Sequence, residues 1–128
     1  MSISTLELGK KLVELCKAGK NEQAIEELYS QNIVSVEAGA PPGKSARTEG
    51  IAAVKEKSKW WASNHTVHKA EASGPWPNGD RFIVRFTYDV TPTSGPMSGK
   101  RFTMDEAALF TVKEGKIVQE EFFYSMGG

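Results

Sequence analysis

Two glutamates of this chain lie inside segments that otherwise have the composition of buried strands. Glu106 is the sixth residue of RFTMDEAALFTV, and Glu120 lies near the middle of GKIVQEEFFY. β-Branched and aromatic residues at this density favour strands. Two carboxyl groups brought close together in an apolar environment raise each other's pKa through desolvation and mutual repulsion. One of them could then exchange a proton near neutral pH, as general acid–base catalysis requires.

Alternation along the last of these segments separates Glu120 from its neighbour Glu121. Successive strand residues point to opposite faces of a sheet, so only one of the two can face the interior. The predicted inner face holds Val118, Glu120, Phe122 and Tyr124, and the predicted outer face holds Ile117, Gln119, Glu121 and Phe123. We expect Glu120 to lie opposite Glu106 inside the molecule. The alternatives are that both acids are solvated at an open end, that Glu121 is the inward residue, or that the acids pair with Lys57, Lys69 or Arg101.

Glu37 and His65 are the other two candidates for acid–base chemistry. Glu37 ends a short apolar segment just before a loop rich in glycine and proline, where it could be a base or a solvated acid paired with Lys44 or Arg47. His65 follows a helical segment, and an imidazole titrates near neutrality. His65 and His68 are three residues apart, but no complementary set of cysteine, histidine and aspartate accompanies them. We therefore predict no metal site.

Hydrophobic periodicity divides the chain into helices first and strands afterwards. Helical spacing predicts helices over about 4–20, 22–29 and 49–63, and strand-type patterns cover 33–37, 65–76, 81–90, 101–112 and 117–124. The order ααβαββββ predicts a single domain over residues 1–128 of the α+β class, with the three helices packed on one face of a curved, mostly antiparallel sheet. Such a sheet forms a cone with an apolar cavity between its layers, and the loops 37–50 and 91–100 are candidate rims of a site.

Aromatic side chains dominate the predicted inner faces. Trp60 and Trp61 are adjacent on a helix, where their side chains diverge by about 100°, so we expect one in the core and the other at the cavity mouth or a subunit contact. A small hydrophobic or aromatic ligand would be contacted by Trp60, Trp61, Phe82, Phe86, Tyr88, Met104, Phe110, Phe122 and Tyr124. The alternative is that these residues fill the core and leave no room for a ligand.

Composition excludes several classes of function. The chain has 128 residues with 16 basic and 16 acidic side chains, and neither sign is concentrated in one segment. We therefore expect no nucleic-acid partner. The sequence contains no run of 18 apolar residues, so we predict no membrane span, and the first twenty residues lack a signal-peptide core. The single cysteine, Cys16, lies on an apolar helix face and is predicted as a core residue, which favours a cytoplasmic protein. No glycine-rich phosphate motif is present, and we predict no cofactor.

Four segments together resemble one known group of proteins. AGKNEQAIEELYSQNIVSVE, EGIAAV, RFTMDEAALFTV and KEGKIVQEEFFY are similar to the nuclear transport factor 2-like superfamily, in particular its SnoaL-like branch, from about Leu6 to Tyr124. The resemblance implies a cystatin-like cone and a homodimer formed through the outer face of the sheet. It is a weaker guide to activity, since the superfamily includes isomerases, cyclases, epoxide hydrolases, dehydratases, ligand binders and transport adaptors.

Within that superfamily, three enzyme types provide comparisons. The resemblance places Glu37 where ketosteroid isomerases carry their general base, but Leu12 and Ala108 stand where those enzymes carry oxyanion donors. Because such donors supply much of the catalysis, the chain is not expected to be a steroid isomerase of that design. SnoaL-type cyclases use an aspartate and a histidine that no motif locates here. Epoxide hydrolases use an Asp-Arg-Asp set, whereas Arg81 and Arg85 are predicted on the face opposite the pocket.

Two hypotheses about function follow. The first is a small-molecule protein with cofactor-free proton transfer of the isomerase, cyclase or lyase type, using Glu37 or Glu120 as base and Glu106, His65 or Tyr124 as donor. The second is a non-catalytic homodimeric domain with a filled or passive pocket. The sequence leaves open which of them holds.

Overall fold

Three helices and six strands make up the part of the chain that the computed structural model describes, residues 4–40 and 43–125. The helices are α1 (Thr5–Lys17), α2 (Asn21–Leu28) and α3 (Ile51–Ser63). The strands are β1 (Tyr29–Val36), β2 (Arg47–Glu49), β3 (His65–Asn78), β4 (Arg81–Pro92), β5 (Phe102–Lys113) and β6 (Lys116–Phe123). The α+β class is confirmed, and so is the order ααβαββββ, to which the structure adds the three-residue strand β2 inside the 37–50 loop.

All six strands form one sheet in the order β2-β1-β6-β5-β4-β3. Neighbouring strands are antiparallel except for β1 and β6, which run parallel and therefore end at the same edge of the sheet. This parallel pair brings the carboxyl end of the first long strand beside the carboxyl end of the last one. No helix among the described residues is long and apolar enough to cross a membrane.

The helices pack on one face of the sheet through the apolar stripes that their spacing predicts. The Ser4 hydroxyl caps α1 by accepting a hydrogen bond from the Glu7 backbone N–H at 3.1 Å. Helix α1 comes so close to the sheet that a Cβ at Gly9 would lie 2.8 Å from the Cβ of Pro75 and 3.2 Å from Cδ2 of Phe82. Glycine at this position therefore permits the helix to contact β3 and β4 directly.

Alternation on β4 and β5 places the predicted side chains inside, but it makes several of them core residues. Phe82 and Phe110 stack with their ring centroids 5.0 Å apart, and each is 1% exposed. Phe86 is also buried. These three phenylalanines were expected to form a ligand wall around a large cavity between the layers. In the structure they instead pack with residues of α1 in one hydrophobic core, because that helix lies close to the sheet at this point.

A β-bulge in β6 changes the face of its first residues. Val112 pairs with Ile117 and Thr111 pairs with Gln119, so Val118 is the extra residue of the bulged strand. The predicted outward orientation of Ile117 is wrong, since Ile117 is fully buried in the core. A single inserted residue shifts the alternation by one position, which a strict period of two cannot represent.

Beyond the bulge the predicted orientation of β6 holds, but its pairing with β5 differs from the expectation. Glu120 faces inward and is only 3% exposed, as predicted. Glu120 pairs with Phe110 of β5 and not with Glu106. Glu106 itself pairs with Phe86 of β4. The two acids are therefore on the same face of the sheet but are not cross-strand neighbours.

Candidate functional site

A buried hydroxyl–carboxylate group lies where β1 meets β6. The Tyr29 hydroxyl donates a hydrogen bond to Oε1 of Glu120, and the Ser35 hydroxyl also bonds to the Glu120 carboxylate. All three residues are buried, and Ser35 is directly paired with Glu120 in the parallel register. A buried carboxylate needs such donors, because an unpaired charge in an apolar interior is costly. The network therefore holds Glu120 in one orientation.

Lys57 of α3 extends this group towards the end of the strands. Its Nζ donates to Oγ of Ser35 at 2.5 Å and to Oε1 of Glu37 at 2.8 Å, and it lies 5.3 Å from the centre of the Phe122 ring. The Tyr124 hydroxyl donates to the other oxygen of Glu37, Oε2, at 3.1 Å. Hydrogen bonds thus run without interruption from the buried Tyr29 hydroxyl to the partly exposed Tyr124 hydroxyl.

Glu106 lies beside this chain of hydrogen bonds without joining it. Its carboxylate makes no hydrogen bond or ion pair with any residue in the described ranges, and its side chain is half-buried. Burial raises the pKa of Glu106 to about 7, helped by the negative charges of Glu37 and Glu120 and opposed by Lys57. A carboxyl group with this pKa is present in both protonation states at neutral pH, which suits proton exchange.

Burial also raises the pKa of two groups deeper in the molecule, Glu120 and Cys16. Burial raises the pKa of Glu120, while the hydrogen bonds from Tyr29 and Ser35 and the charge of Lys57 act in the opposite direction. Burial, with a smaller effect of the Glu120 carboxylate, raises the pKa of Cys16 to about 12. Cys16 packs against the core as a thiol, in line with its predicted place on the apolar face of α1.

A pocket of about 320 Å³ opens where β1 and β6 end. It is lined by Val36, Glu37, Ala38, Glu121, Phe122, Phe123 and Tyr124. This volume is at the lower end of the range for small-molecule sites. Three residues predicted for the site, Glu37, Phe122 and Tyr124, line this pocket. Glu106 and Glu120 are not among the lining residues, but the Glu106 carboxylate helps to raise the pKa of Tyr124, which places Glu106 close to the pocket.

A second group, mainly aromatic, surrounds Tyr88 on the inner face of the sheet. Trp61 lies with its ring centroid 5.5 Å from that of Tyr88 and stacks at 4.3 Å on His65, whose Nδ1 is 2.8 Å from the Trp61 backbone oxygen. The rings of Phe86 and Tyr88 stack with their centroids 6.0 Å apart, and Met104 on β5 is the cross-strand partner of Tyr88. Burial raises the pKa of Tyr88, and so does the Glu106 carboxylate, which places this group next to Glu106.

Two predicted site residues are not brought to the carboxylates. His65 contacts Trp61 and makes no hydrogen bond or ion pair with a glutamate in the described ranges, so the structure does not join it to the acids. Trp60 is 62% exposed on the side of α3 that faces away from the sheet. Of the two adjacent tryptophans, Trp61 is therefore the one that packs inward, as their divergence on a helix requires.

Three residues of the network were not predicted as site residues. Tyr29 was assigned to the end of α2, although it opens β1. Ser35 shares the inner face of β1 with Ile33 and Glu37, and this alternation is the signal that could have identified it. Lys57 follows Val54 by three positions, which places it on the inner side of α3.

No group of three or more histidine, cysteine, aspartate or glutamate side chains within residues 4–40 and 43–125 is arranged to hold a metal ion. Two of the three glutamates, Glu37 and Glu120, are instead held by one lysine and by the hydroxyl groups of Tyr29, Ser35 and Tyr124.

Comparisons with known proteins identify the family and the fold of this chain. A family model described as "SnoaL-like domain" matches residues 3–124. A crystal structure from Mesorhizobium loti, described provisionally as a SnoaL-like polyketide cyclase and, in brackets, as a carbohydrate phosphatase, is 43% identical to this chain. The match covers 95% of this chain and 100% of the other, with a TM-score of 0.88. The comparison with curated proteins finds no match.

Two more distant structures share the fold. A protein from Pseudomonas putida KT2440, described provisionally as a polyketide cyclase, is 17% identical over 98% of this chain and 94% of its own, with a TM-score of 0.72. A Xanthomonas campestris protein with a cystatin-like fold is 15% identical over 96% and 92% of the two chains, with a TM-score of 0.75. At these identities the similarity concerns the fold alone, and it confirms the predicted cystatin-like architecture.

Proposed function

This chain belongs to the SnoaL-like domain family, and we propose that it binds a small hydrophobic or aromatic molecule at the carboxyl ends of β1 and β6 and exchanges a proton with it through Glu106. The observation that carries the proposal is the Glu106 carboxyl group. It has no partner among the described residues, and its pKa of about 7 suits both removal and return of a proton.

The proposed chemistry needs no cofactor. The Glu106 carboxylate takes a proton from an acidic C–H or O–H group of the ligand, and the resulting acid returns it at a second position. Atoms and charge balance within the ligand and one carboxyl group, as in isomerase, cyclase or lyase reactions. The Tyr124 hydroxyl, at the pocket wall, would exchange its hydrogen bond to Glu37 for one to a ligand oxygen on which negative charge develops.

The M. loti relative favours a cyclase reaction among these classes, since the first of its two provisional descriptions is a SnoaL-like polyketide cyclase. A cyclic or aromatic ligand with a carbonyl group would match both the apolar wall formed by Phe122 and Phe123 and the hydroxyl of Tyr124. Glu37 is a weaker candidate for the base, because its two carboxylate oxygens already accept hydrogen bonds from Lys57 and Tyr124.

The test is a ligand-observed NMR screen of small cyclic and aromatic carbonyl compounds, followed by the exchange of their acidic C–H groups for deuterium in D₂O. The Glu106→Gln variant is expected to bind a hit within about threefold of the wild-type Kd. It should slow the exchange by about 10²- to 10⁴-fold, the usual contribution of a general acid or base. Glu56→Gln, at an exposed position of α3, is the control and should exchange like the wild-type protein. Full exchange by Glu106→Gln, or no hit at all, would contradict the proposal.

The second candidate function is a passive binding domain without chemistry. It is favoured by the packing of Phe82, Phe86 and Phe110 in the core, which leaves the open-ended pocket as the place for a ligand. In that case a hit binds, but neither the wild-type protein nor Glu106→Gln accelerates its exchange.

We further propose that two copies of the chain associate through the outer face of the sheet. Trp76, Ile83 and Leu109 form a continuous cross-strand row on this face, and the first two are 56% and 42% exposed. Phe123, 52% exposed, lies on the same side. Apolar side chains in a row of this kind, among polar neighbours, are typical of a protein interface.

Replacing Ile83 at the centre of that row by a charge tests the dimer. Analytical ultracentrifugation at micromolar concentration should give a dimer for the wild-type chain and a monomer for Ile83→Glu, because each subunit would bury an unpaired charge in the interface. Leu6→Glu, at an exposed leucine on α1 away from the sheet face, should remain dimeric. A monomeric wild-type chain would refute this assembly.

A further inference from the structure

Lys57 is the one cation of the buried network, and it is fixed from three directions. Its ammonium group contacts Ser35 and Glu37 on β1 at 2.5 and 2.8 Å, and it lies over the Phe122 ring of β6. Its side chain is 28% exposed, close to the 29% of Glu37. A lysine on the surface would lose this geometry to side-chain entropy and water, whereas a lysine held by three partners keeps it.

Ser35 contacts both Lys57 and Glu120. A serine hydroxyl has one proton to donate and lone pairs to accept with. In the structure Ser35 bonds to the Glu120 carboxylate and accepts from the Lys57 ammonium. The serine therefore stands between Lys57 and Glu120, and the direct ion pair of Lys57 is made with Glu37.

Three carboxyl groups lie near one lysine, and only one of them pairs with it. Glu120 accepts hydrogen bonds from Tyr29 and Ser35, and Glu37 pairs with Lys57 and accepts a hydrogen bond from Tyr124. Glu106 has neither an ion pair nor a hydrogen bond with any residue of the described part of the chain. The uneven division follows from where the α3 lysine is anchored, not from the glutamates themselves.

We infer that Lys57 is a positioning residue whose fixed ion pair with Glu37 leaves Glu106 as the carboxyl group that exchanges protons at this site. The inference rests on the proposed function in one respect, since it assigns the proton-exchanging role to the same glutamate. It adds that a residue outside the pocket wall makes that assignment, and that moving or removing its charge redistributes protons among the acids.

The charged and titratable groups around Glu106 come from four elements. Glu37 lies on the segment after β1, Glu120 on β6, Lys57 on α3 and Tyr88 on β4, and Tyr124 follows β6. Glu37 and Glu120 raise the pKa of Glu106, and Lys57 lowers it. Loss of the lysine charge should therefore make Glu106 bind its proton more tightly.

The experiment is a pH titration of the ligand-free protein, followed by NMR of ¹³C-labelled glutamate carboxyl groups, with Glu106 assigned from the Glu106→Gln spectrum. Lys57→Met keeps the length of the side chain and removes its charge. We expect it to raise the pKa of Glu106 by about one, since the Lys57 charge lowers this pKa and a nearby unit charge is worth about that much in a partly screened site. Lys57→Arg keeps the charge and should leave the pKa of Glu106 near its wild-type value.

Two further variants complete the comparison. Glu37→Gln removes the repelling charge and is expected to lower the pKa of Glu106, so it gives a shift of opposite sign even if Lys57→Met does not fold. Lys55→Met removes a lysine of the same helix that pairs with Glu26 at 3.6 Å, and it should leave the Glu106 titration unchanged. Equal titrations in Lys57→Met, Lys55→Met and the wild-type protein would overturn the inference, and so would an unchanged Glu106 titration in Glu37→Gln.

Because no ligand is present in the titration, its outcome is independent of the ligand screen. The expected pKa changes without any ligand turnover would leave the division of roles in place and remove the proposed catalysis. Turnover that depends on Glu106, without a titration response to Lys57→Met, would retain the catalysis and remove Lys57 as its positioning residue.

Discussion

Glu106→Gln is expected to stabilise the protein against unfolding at pH 8 while it slows proton exchange. Burial beside Glu37 and Glu120 raises the pKa of Glu106 from 4.5 to about 7. The folded state therefore binds this proton more tightly than the unfolded state does. The stability linked to it is complete below pH 4.5 and is lost as the pH rises through 7.

The size of the effect follows from the same shift. A displacement from 4.5 to about 7 corresponds to about 3 kcal/mol at full ionisation, which partial solvent access reduces to about 2 kcal/mol. Urea unfolding should give a free energy of unfolding for Glu106→Gln that exceeds the wild-type value by about 2 kcal/mol more at pH 8 than at pH 5. This would be an example of a functional group retained at a cost in stability.

The control for this prediction is Glu56→Gln, which makes the same chemical change on an exposed turn of α3. Its stability difference from the wild-type protein should be the same at pH 5 and pH 8. If Glu106→Gln gave the same difference at both pH values, Glu106 would be an ordinary solvated carboxylate, and its proposed role would lose its physical basis.

Tyr29→Phe is expected to destabilise the fold by about 2 kcal/mol at pH 7. The substitution removes the hydroxyl that donates to Glu120 and leaves a carboxyl group that is 3% exposed with one donor fewer. A buried polar group that loses its partner incurs its desolvation penalty, about 1–3 kcal/mol. Because the Tyr29 hydrogen bond also lowers the pKa of Glu120, the cost should increase as the pH rises.

Tyr124→Phe is the matched control, because it removes the same hydroxyl from a different position. The Tyr124 hydroxyl bonds at 3.1 Å to Glu37, whose side chain is 29% exposed and keeps its ion pair with Lys57. Water can replace this hydrogen bond, so we expect a loss below about 1 kcal/mol. Urea unfolding of both variants makes the comparison. A cost for Tyr29→Phe no larger than that of Tyr124→Phe would mean that Glu120 finds another donor.

Local periodicity determined the layers of the molecule and the orientation of its two strand glutamates. Side chains alternate along β5 and along β6 beyond its bulge, so a pattern of period two was enough to predict that Glu106 and Glu120 face inward. The buried residues of α2, Ala24, Ile25 and Leu28, likewise follow from helical spacing, since the three lie on one side of a helix. These features depend only on neighbours in the sequence.

The tertiary structure decided which groups those glutamates meet. Ser35 reaches Glu120 because β1 and β6 pair in parallel, and Tyr29 reaches it across 91 positions of the chain. Val118 forms the bulge that turns Ile117 into the core, and no local pattern marks it. Lys57 could have paired with any of three acids by sequence alone. Coulomb energies depend on distances, and the distances from Lys57 to the three acids are fixed only when α3 packs against the sheet. In that packing Lys57 forms its ion pair with Glu37, and Glu106 has no ion pair within the described part of the chain.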